Sequence, residues 1–473
     1  MWRDPAKALP QNGPALRRGD TRMRVAVIGA GYVGLVSGVC LADFGHHVTC
    51  IDKDRSRVDA LKRGEIPIFE PGLDALVEAN VRHGRLAFAA DTAALSGADA
   101  VFIAVGTPAR RGDGHADLSF VFDAVKDIAP LLAEAAILVT KSTVPVGTGD
   151  EIEHIVRQRR PNAAIAVVSN PEFLREGTAI KDFKEPDRVV IGTNDARARA
   201  VLADIYRPLL DAAPFVYVGR RTAELIKYAA NAFLAAKISF INEIADLCEC
   251  VGGDVQDVAR GIGLDARIGA KFLRAGPGIG GSCLPKDGLA LIKTAHDYGM
   301  QLRLIETVCA VNEARKHAMA GKVAAALGGA VRGRTIGVLG LTFKADTDDT
   351  RDSPSIALIA GLQDRGATVR AYDPAGMEQA KLSLPAVDYC NSAYAAAEGA
   401  DALVIATEWQ QFRTLDLNRL RRAMAQPLIV DLRNIYDIEH MKRADFRYVA
   451  LGRSAQAAVP VEMPRQRLRA MTG

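Results

Sequence analysis

One junction constrains this chain more than any other: the apolar run Arg24–Ile28 passes directly into Gly29-Ala30-Gly31-Tyr32-Val33-Gly34. A helical pattern follows through Leu41 and Phe44, then a second apolar run, His47–Ile51, which closes on Asp52. Strand, glycine turn, helix, strand and acid in this order make the context of a dinucleotide-binding fold, which the glycines alone would not. Gly29, Gly31 and Gly34 permit a tight turn and let a pyrophosphate approach the backbone at a helix N-terminus; Tyr32 and Val33 belong to the same loop. Asp52 stands where a carboxylate accepts hydrogen bonds from the adenosine ribose and repels a 2′-phosphate, so the expected cofactor is NAD rather than NADP.

Strands then recur at α/β spacing, at Ala100–Val105, Ile137–Thr140, Ala164–Ser169 and Arg188–Ile191. Three end in polar, turn-rich sequence: Gly106-Thr107-Pro108, Lys141-Ser142-Thr143-Val144-Pro145 and Asn170-Pro171-Glu172. Open α/β sheets place ligands at the C-terminal ends of their strands, so these loops are functional candidates. From Ala223 to about Val251 the chain reads as one long, largely apolar helix. It is expected to be buried on several sides, as a spine between domains and a subunit interface. Strands return at Thr335–Leu339, Ala367–Tyr372, Ala402–Ala406 and Leu428–Asp431, with a helix from Pro354. The first turn of this second unit, Gly337 to Gly340, lacks the third fingerprint glycine and is read as nucleotide-like but not as a second NAD site. The expected architecture is α/β: a Rossmann-type NAD-binding domain (23–215), a central long-helix dimerisation region (216–328) and a C-terminal Rossmann-like domain (329–453), with disordered tails at 1–22 and 454–473.

Sixty Lys and Arg against 56 Asp and Glu leave a net charge of +4, too small for a nucleic-acid footprint. No apolar stretch reaches membrane-spanning length, and residues 1–22 lack a signal-peptide core, so a cytoplasmic protein without membrane or nucleic-acid partners is expected. Seven cysteines without a tight CxxC pair suit a reducing compartment rather than a disulfide framework, and no metal is expected. A lone cysteine is usually an inert buried residue. Cys283 differs, because Gly276-Pro-Gly-Ile-Gly280-Gly281-Ser282-Cys283-Leu-Pro-Lys286-Asp287 makes a poor core segment and a good exposed loop. Backbone N–H groups and Lys286 there would favour a thiolate.

GGSCLPKD (280–287), with GAGYVG (29–34), KSTVPVGT (141–148), NPEFLREG (170–177), ELIKYAANAFLA (224–235) and GLTFKADTDDTRDSP (340–354), resembles the UDP-glucose/GDP-mannose dehydrogenase family. The resemblance is ordered and runs from about Met23 to Arg453. RRGDGHADLS (110–119), TAELIKY (222–228) and RIGAKFLRAGPGIGGSC (267–283) look like its UDP-glucose branch, in bacterial enzymes that supply glucuronic acid for polysaccharides. The resemblance implies a four-electron oxidation of UDP-glucose to UDP-glucuronate with two NAD⁺ in sequence, the C-terminal domain binding the UDP-sugar. An aldehyde is a poor hydride donor until a nucleophile adds to it. A Cys283 thiolate would make a thiohemiacetal, its oxidation a thioester, and hydrolysis the acid.

Lys227 and Asn231 lie four residues apart, hence on one helix face; by spacing alone they would be a solvated pair. The resemblance makes them the cation and the neutral donor that stabilise the developing oxyanion. It makes Glu172 the general base or the holder of the hydrolytic water, with Thr143 positioning that water and Asp287 completing the site. The division of acid–base work between Glu172 and Asp287 stays open. For the cofactor it adds Arg57, Thr107, Thr143, Glu176, Lys286 and Arg351. For the substrate it implies Glu172, Phe173, Leu174, Arg175 and Glu176, then Lys227 and Asn231, then Phe272, Leu273, Arg274, Ala275 and Gly276, with Gly280 and Lys344. Arg267 would reach the substrate of a neighbouring subunit, so a homodimer through the central helix is expected. By themselves Arg267, Lys344 and Arg351 read as surface charges.

Two residues depart from the family pattern: Leu284 replaces a phenylalanine common in the UDP-glucose branch, and Ile279 replaces a usual tyrosine. Both bear on the sugar pocket and neither removes a reactive group. The nearest rival reading is GDP-mannose oxidation by the same chemistry. A two-electron 3-hydroxyacid dehydrogenase would need neither Cys283 nor the second α/β unit, and an inactive nucleotide-sugar sensor would not need Cys283, Lys227, Asn231, Glu172 and Asp287 together.

Overall fold

A computed structural model describes residues 22–108, 110 and 116–453. The two expected tails, but for Arg22, and part of the 110–119 stretch lie outside the described residues. The described residues divide into two compact units, those up to 230 with 289–301, and 231–288 with those from 302 to 453.

The first unit is built on β1 (Arg24–Ile28), β2 (His47–Ile51), β3 (Leu86–Ala89), β4 (Ala100–Ile103), β5 (Ile137–Thr140), β6 (Ala166–Ser169), β7 (Val189–Gly192) and β8 (Phe215–Val218). They form one sheet in the order β3-β2-β1-β4-β5-β6-β7-β8. Neighbours are parallel except at β6–β7, where the pairing turns antiparallel. The central strands are unbroken apolar runs, as expected where helices cover both faces of a sheet. Alternate residues feed two cores: Val25, Val27, Phe102 and Val139 pack on one face, Ala26, Ile28, Val101, Ile103 and Leu138 on the other. Each of the larger of these side chains contributes about 1.5–3 kcal/mol by leaving water.

The second unit carries β9 (Thr335–Leu339), β10 (Thr368–Tyr372), β11 (Asp388–Tyr389), β12 (Ala402–Ile405), β13 (Leu428–Asp431) and β14 (Arg447–Ala450), all parallel, in the order β11-β10-β9-β12-β13-β14. Both sheets thus repeat the doubly wound strand order of nucleotide-binding folds. In this second unit the acid after β10, Asp373, is fully buried and accepts the Leu341 and Thr342 amides and the Trp409 indole N–H. That carboxylate is spent on the turn; its counterpart Asp52, also buried, accepts the Ala30 amide of its own glycine turn.

The long helix runs Arg220–Val251, three residues earlier than the sequence suggests. It buries Ala223, Tyr228, Ala232, Ala235, Ile241, Ala245 and Cys248. In the single chain Leu225, Phe233, Phe240, Leu247 and Val251 stand exposed, Phe233 at 66 %. Among the described residues no helix is long and apolar enough to cross a membrane, and no His/Cys/Asp/Glu group could hold a metal ion.

Candidate active site

The glycine turn shows three different demands. Gly29 has φ +99°, and a Cβ there would lie 2.7 Å from the Ala104 carbonyl oxygen. A Cβ on Gly34 would collide with the Gly29 carbonyl, so that glycine lets helix Tyr32–Asp43 lie against the turn. Gly31 has nothing within 4 Å of its would-be Cβ, and no side chain caps the helix it precedes. The open face is therefore at the middle glycine, where amide groups and helix dipole favour an anion. Asp52 is held in place: Oδ2 accepts the Ala30 amide (2.8 Å) and Arg57 Nη1 (3.0 Å), and Oδ1 accepts the Asp54 amide (3.0 Å). An open anion cradle with an oriented carboxylate at its edge fits NAD. Thr107 Oγ1 donates to the Thr143 carbonyl at 2.9 Å, bringing together two loops that the sequence named separately.

Sequence reasoning missed Glu70. It is buried, and its carboxylate accepts the Tyr32 hydroxyl, the Gly177 amide (2.7 Å) and the Ile180 amide (3.3 Å). The glycine turn is thereby tied to the Glu172–Gly177 loop. Burial and the Glu70 carboxylate push the Tyr32 phenol well above its ordinary value, so it stays a donor.

Glu172 and Lys227 form an ion pair at 3.0 Å with side chains about 4–5 % exposed. Lys227 also lies 5.4 Å from the Phe173 ring, whose face carries the Arg188 guanidinium at 3.5 Å. A pair this buried is costly to break, about 3–5 kcal/mol when one partner is removed. Glu176 is half-buried beside it in sequence, while Arg175 is exposed and pairs with Asp182. Glu224, one turn before Lys227, accepts the Gly147 and Gly149 amides and the Ser169 hydroxyl, anchoring the Thr143 loop to the long helix.

In the second unit Asn231 Nδ2 donates to Asp287 Oδ2 (2.7 Å), and Lys286 Nζ to Asp287 Oδ1 (2.7 Å). Asp287 is 1 % exposed, so its charge is met by these donors rather than by water. Cys283 is exposed, directly precedes helix Leu284–Asp297, and accepts the Asp287 amide on its carbonyl. A helix N-terminus stabilises negative charge. The preceding loop is pinned at three amides: Gly276 by Asn242 Oδ1, Ile279 by Asn312 Oδ1, Gly281 by the Arg351 carbonyl. Arg315 Nε also donates to the Gly276 carbonyl. Gly280 is needed for contact, since a Cβ there would lie 2.6 Å from the Asp352 carbonyl.

The implied substrate segment is uneven. Phe272 sits at φ +66°, a strained conformation for a bulky residue, of a kind that clusters at functional sites. Leu273 and Ala275 have their side chains buried in the core, and Arg274 is exposed. Lys344 is half-buried with Nζ 5.6 Å from the Phe343 ring. Arg433, missed by sequence reasoning, bonds the Phe343 carbonyl (2.7 Å) and would touch a Gly276 side chain at 3.2 Å. Arg351 pairs with Asp349, and Arg267, almost fully exposed, pairs with Asp265. Ile279 and Leu284, the two departures, meet in one apolar cluster with Ala235 and Val308.

Residues 23–210, 221–314 and 337–438 match, in turn, the NAD binding, central and UDP binding domains of the UDP-glucose/GDP-mannose dehydrogenase family. The chain is 62 % identical over 435 residues to a UDP-glucose 6-dehydrogenase of Rhizobium meliloti, covering 91 % of this chain and all of that one. It is 46 % identical to a UDP-glucose 6-dehydrogenase of Pseudomonas aeruginosa, covering 91 % and 98 %. A solved UDP-glucose dehydrogenase from Pyrobaculum islandicum superposes with a TM-score of 0.85 at 38 % identity, covering 93 % of this chain and 100 % of the other. Matched along all three domains, with the glycine turn and Asp52 set for the dinucleotide, the chain belongs to the UDP-glucose/GDP-mannose dehydrogenase family and uses NAD.

Proposed function

We propose that this chain is an NAD-dependent UDP-glucose 6-dehydrogenase that oxidises UDP-glucose to UDP-glucuronate through a covalent intermediate on Cys283. The observation that carries the reading is the Asn231–Asp287–Lys286 clamp, whose Asp287 lies four residues after Cys283; within the first unit the buried Lys227–Glu172 ion pair supports it. The 62 % identity to a protein of that activity supports the choice of sugar nucleotide. Bound NAD⁺ supplies a two-electron acceptor, used once for each oxidation. Gly29, Gly31, Gly34, Asp52, Arg57, Thr107 and Thr143 would hold it.

The chain's own groups supply the rest. As the C6 alcohol loses its hydride, its hydroxyl proton passes to a base and charge develops on oxygen, which the Lys227 ammonium and the Asn231 amide stabilise. The Cys283 thiolate adds to the resulting aldehyde carbon, giving the alkoxide of a thiohemiacetal, from which hydride loss alone restores a carbonyl. The second hydride loss from that carbon leaves a thioester. Water then attacks the acyl carbon, giving a proton to Glu172 as the C–S bond breaks and the thiolate returns to Cys283. Thr143 positions that water, and Asp287 orients Asn231 and Lys286.

The proposed boundaries remain an NAD-binding domain to 215, a central region to 328 and a UDP-sugar-binding domain to 453. The exposed apolar stripe on the long helix supports a homodimer, with Arg267 reaching the neighbour's substrate; sedimentation of the purified chain as a monomer would sink that assembly. We place the enzyme in the cytoplasm, where NAD is available, and its product in polysaccharide synthesis.

The test is stoichiometric, with limiting UDP-glucose and excess NAD⁺. Two NADH per UDP-glucose, with UDP-glucuronate formed, is expected. One NADH would remove the acyl-enzyme route, and oxidation of GDP-mannose alone would move the chain to the other branch.

A further inference from the structure

Immediately after β5, Lys141 carries its ammonium into the interior of the first unit, with the residue 6 % exposed. Its two hydrogen-bond partners are neutral: Asn170 Oδ1 at 3.1 Å and the Tyr206 hydroxyl at 3.3 Å. The Phe183 and Tyr206 rings flank it, with centroids 5.8 and 5.6 Å from Nζ. Asn170 is the first residue after β6 and lies two before Glu172. Its Oδ1 also accepts the Tyr206 hydroxyl (2.6 Å), and its Nδ2 holds the Val190 carbonyl (2.8 Å).

A buried cation among neutral groups is costly, and a methionine or glutamine would fill the same space without that cost. The charges acting on Lys141 belong to the proposed acid–base pair. Glu172 favours its cationic form and Lys227 opposes it, while burial, the larger effect, pulls the ammonium down to about 8. Tyr206, the other titratable group in contact, is pushed up by burial and stays a neutral phenol. Lys141 is therefore a cation at and below neutral pH.

We propose that Lys141 is a positioning residue of the reaction: its buried ammonium holds the Asn170–Glu172 turn and biases Glu172 toward the carboxylate that takes a proton from the hydrolytic water. This rests on the reading of Glu172 as that base. Lys141 keeps its own proton throughout. Its positive charge favours the ionised carboxyl, and losing it favours the protonated one. The acid limb of the rate profile should therefore lie at higher pH when the charge is removed.

The experiment measures kcat against pH for the full-length enzyme at saturating UDP-glucose and NAD⁺, with the NADH ratio recorded alongside. Lys141→Met removes the charge and keeps the bulk; Lys141→Gln also keeps a donor for Asn170 and serves if the first variant folds poorly. Both are expected to move the acid limb upward by about one pH unit. Tyr206→Phe, which removes the hydroxyl that donates to Asn170 and accepts from Lys141 but removes no charge, should leave the limb where it was. A wild type yielding two NADH whose limb stays fixed in both lysine variants, or shifts equally in Tyr206→Phe, overturns the role of Lys141 and leaves the proposed function standing. A wild type that does not oxidise UDP-glucose overturns both.

Discussion

Cys283 combines exposure with a place at the start of a fourteen-residue helix, where a thiolate has both access and a favourable field. Cys283→Ser should lower UDP-glucuronate formation on the order of a thousandfold or more, in steady-state assays of product. Near-normal turnover would exclude the thioester. Asp52 is held by two amides and Arg57, and a bound ribose would add hydrogen bonds to a charged group, worth about 1.5–3 kcal/mol. Asp52→Ala should raise KM for NAD⁺ roughly tenfold or more and narrow the preference over NADP⁺. Unchanged cofactor kinetics would end its ribose role. Both residues were legible in the sequence because a turn or a reactive group marks them locally. Glu70, Asn242, Asn312, Arg315 and Arg433 were not. Each is an ordinary polar residue in its own segment, and its use lies in a backbone group of another segment.

At the scale of elements, the strands that the sequence did not announce were Leu86–Ala89, Phe215–Val218, Asp388–Tyr389 and Arg447–Ala450. These are the four sheet edges. Each leaves some positions exposed or half-buried where a central strand such as Ala100–Ile103 is buried throughout. An edge is therefore under weaker demand to read as core even when, as in Phe215–Val218, it is apolar. The loop before Cys283 behaves in the same way. Its glycines mark it as a loop, but its shape depends on a helix about thirty residues away, where Asn312 brackets Ile279 at both N–H (2.7 Å) and C=O (3.1 Å). Asn312→Ala leaves two buried backbone groups unpaired, about 1–3 kcal/mol each. It should lower kcat more than tenfold with little change in KM for NAD⁺. A loss seen in KM for NAD⁺ alone would contradict this account.

At the scale of the whole molecule, two doubly wound sheets share one strand order and differ in how each treats its turn. The first leaves Gly31 open and Asp52 oriented, and the second buries Asp373 in its own hydrogen bonds. Ligands that bind the folded chain stabilise it by mass action, about 2.7 kcal/mol at a hundred times Kd. Thermal melts should therefore rise with NAD⁺ and, separately, with UDP, and much less with GDP. A larger rise with GDP would favour the GDP-mannose branch. The chain by itself determined the doubly wound fold, the dinucleotide turn and the exposed Cys283 loop, because apolar period, glycine spacing and loop composition are local properties. Tertiary structure alone decided the Glu172–Lys227 ion pair, the Asn231–Asp287–Lys286 clamp and the buried Lys141. In these, charges and amides far apart in sequence must satisfy one another away from water, and no local pattern records that requirement.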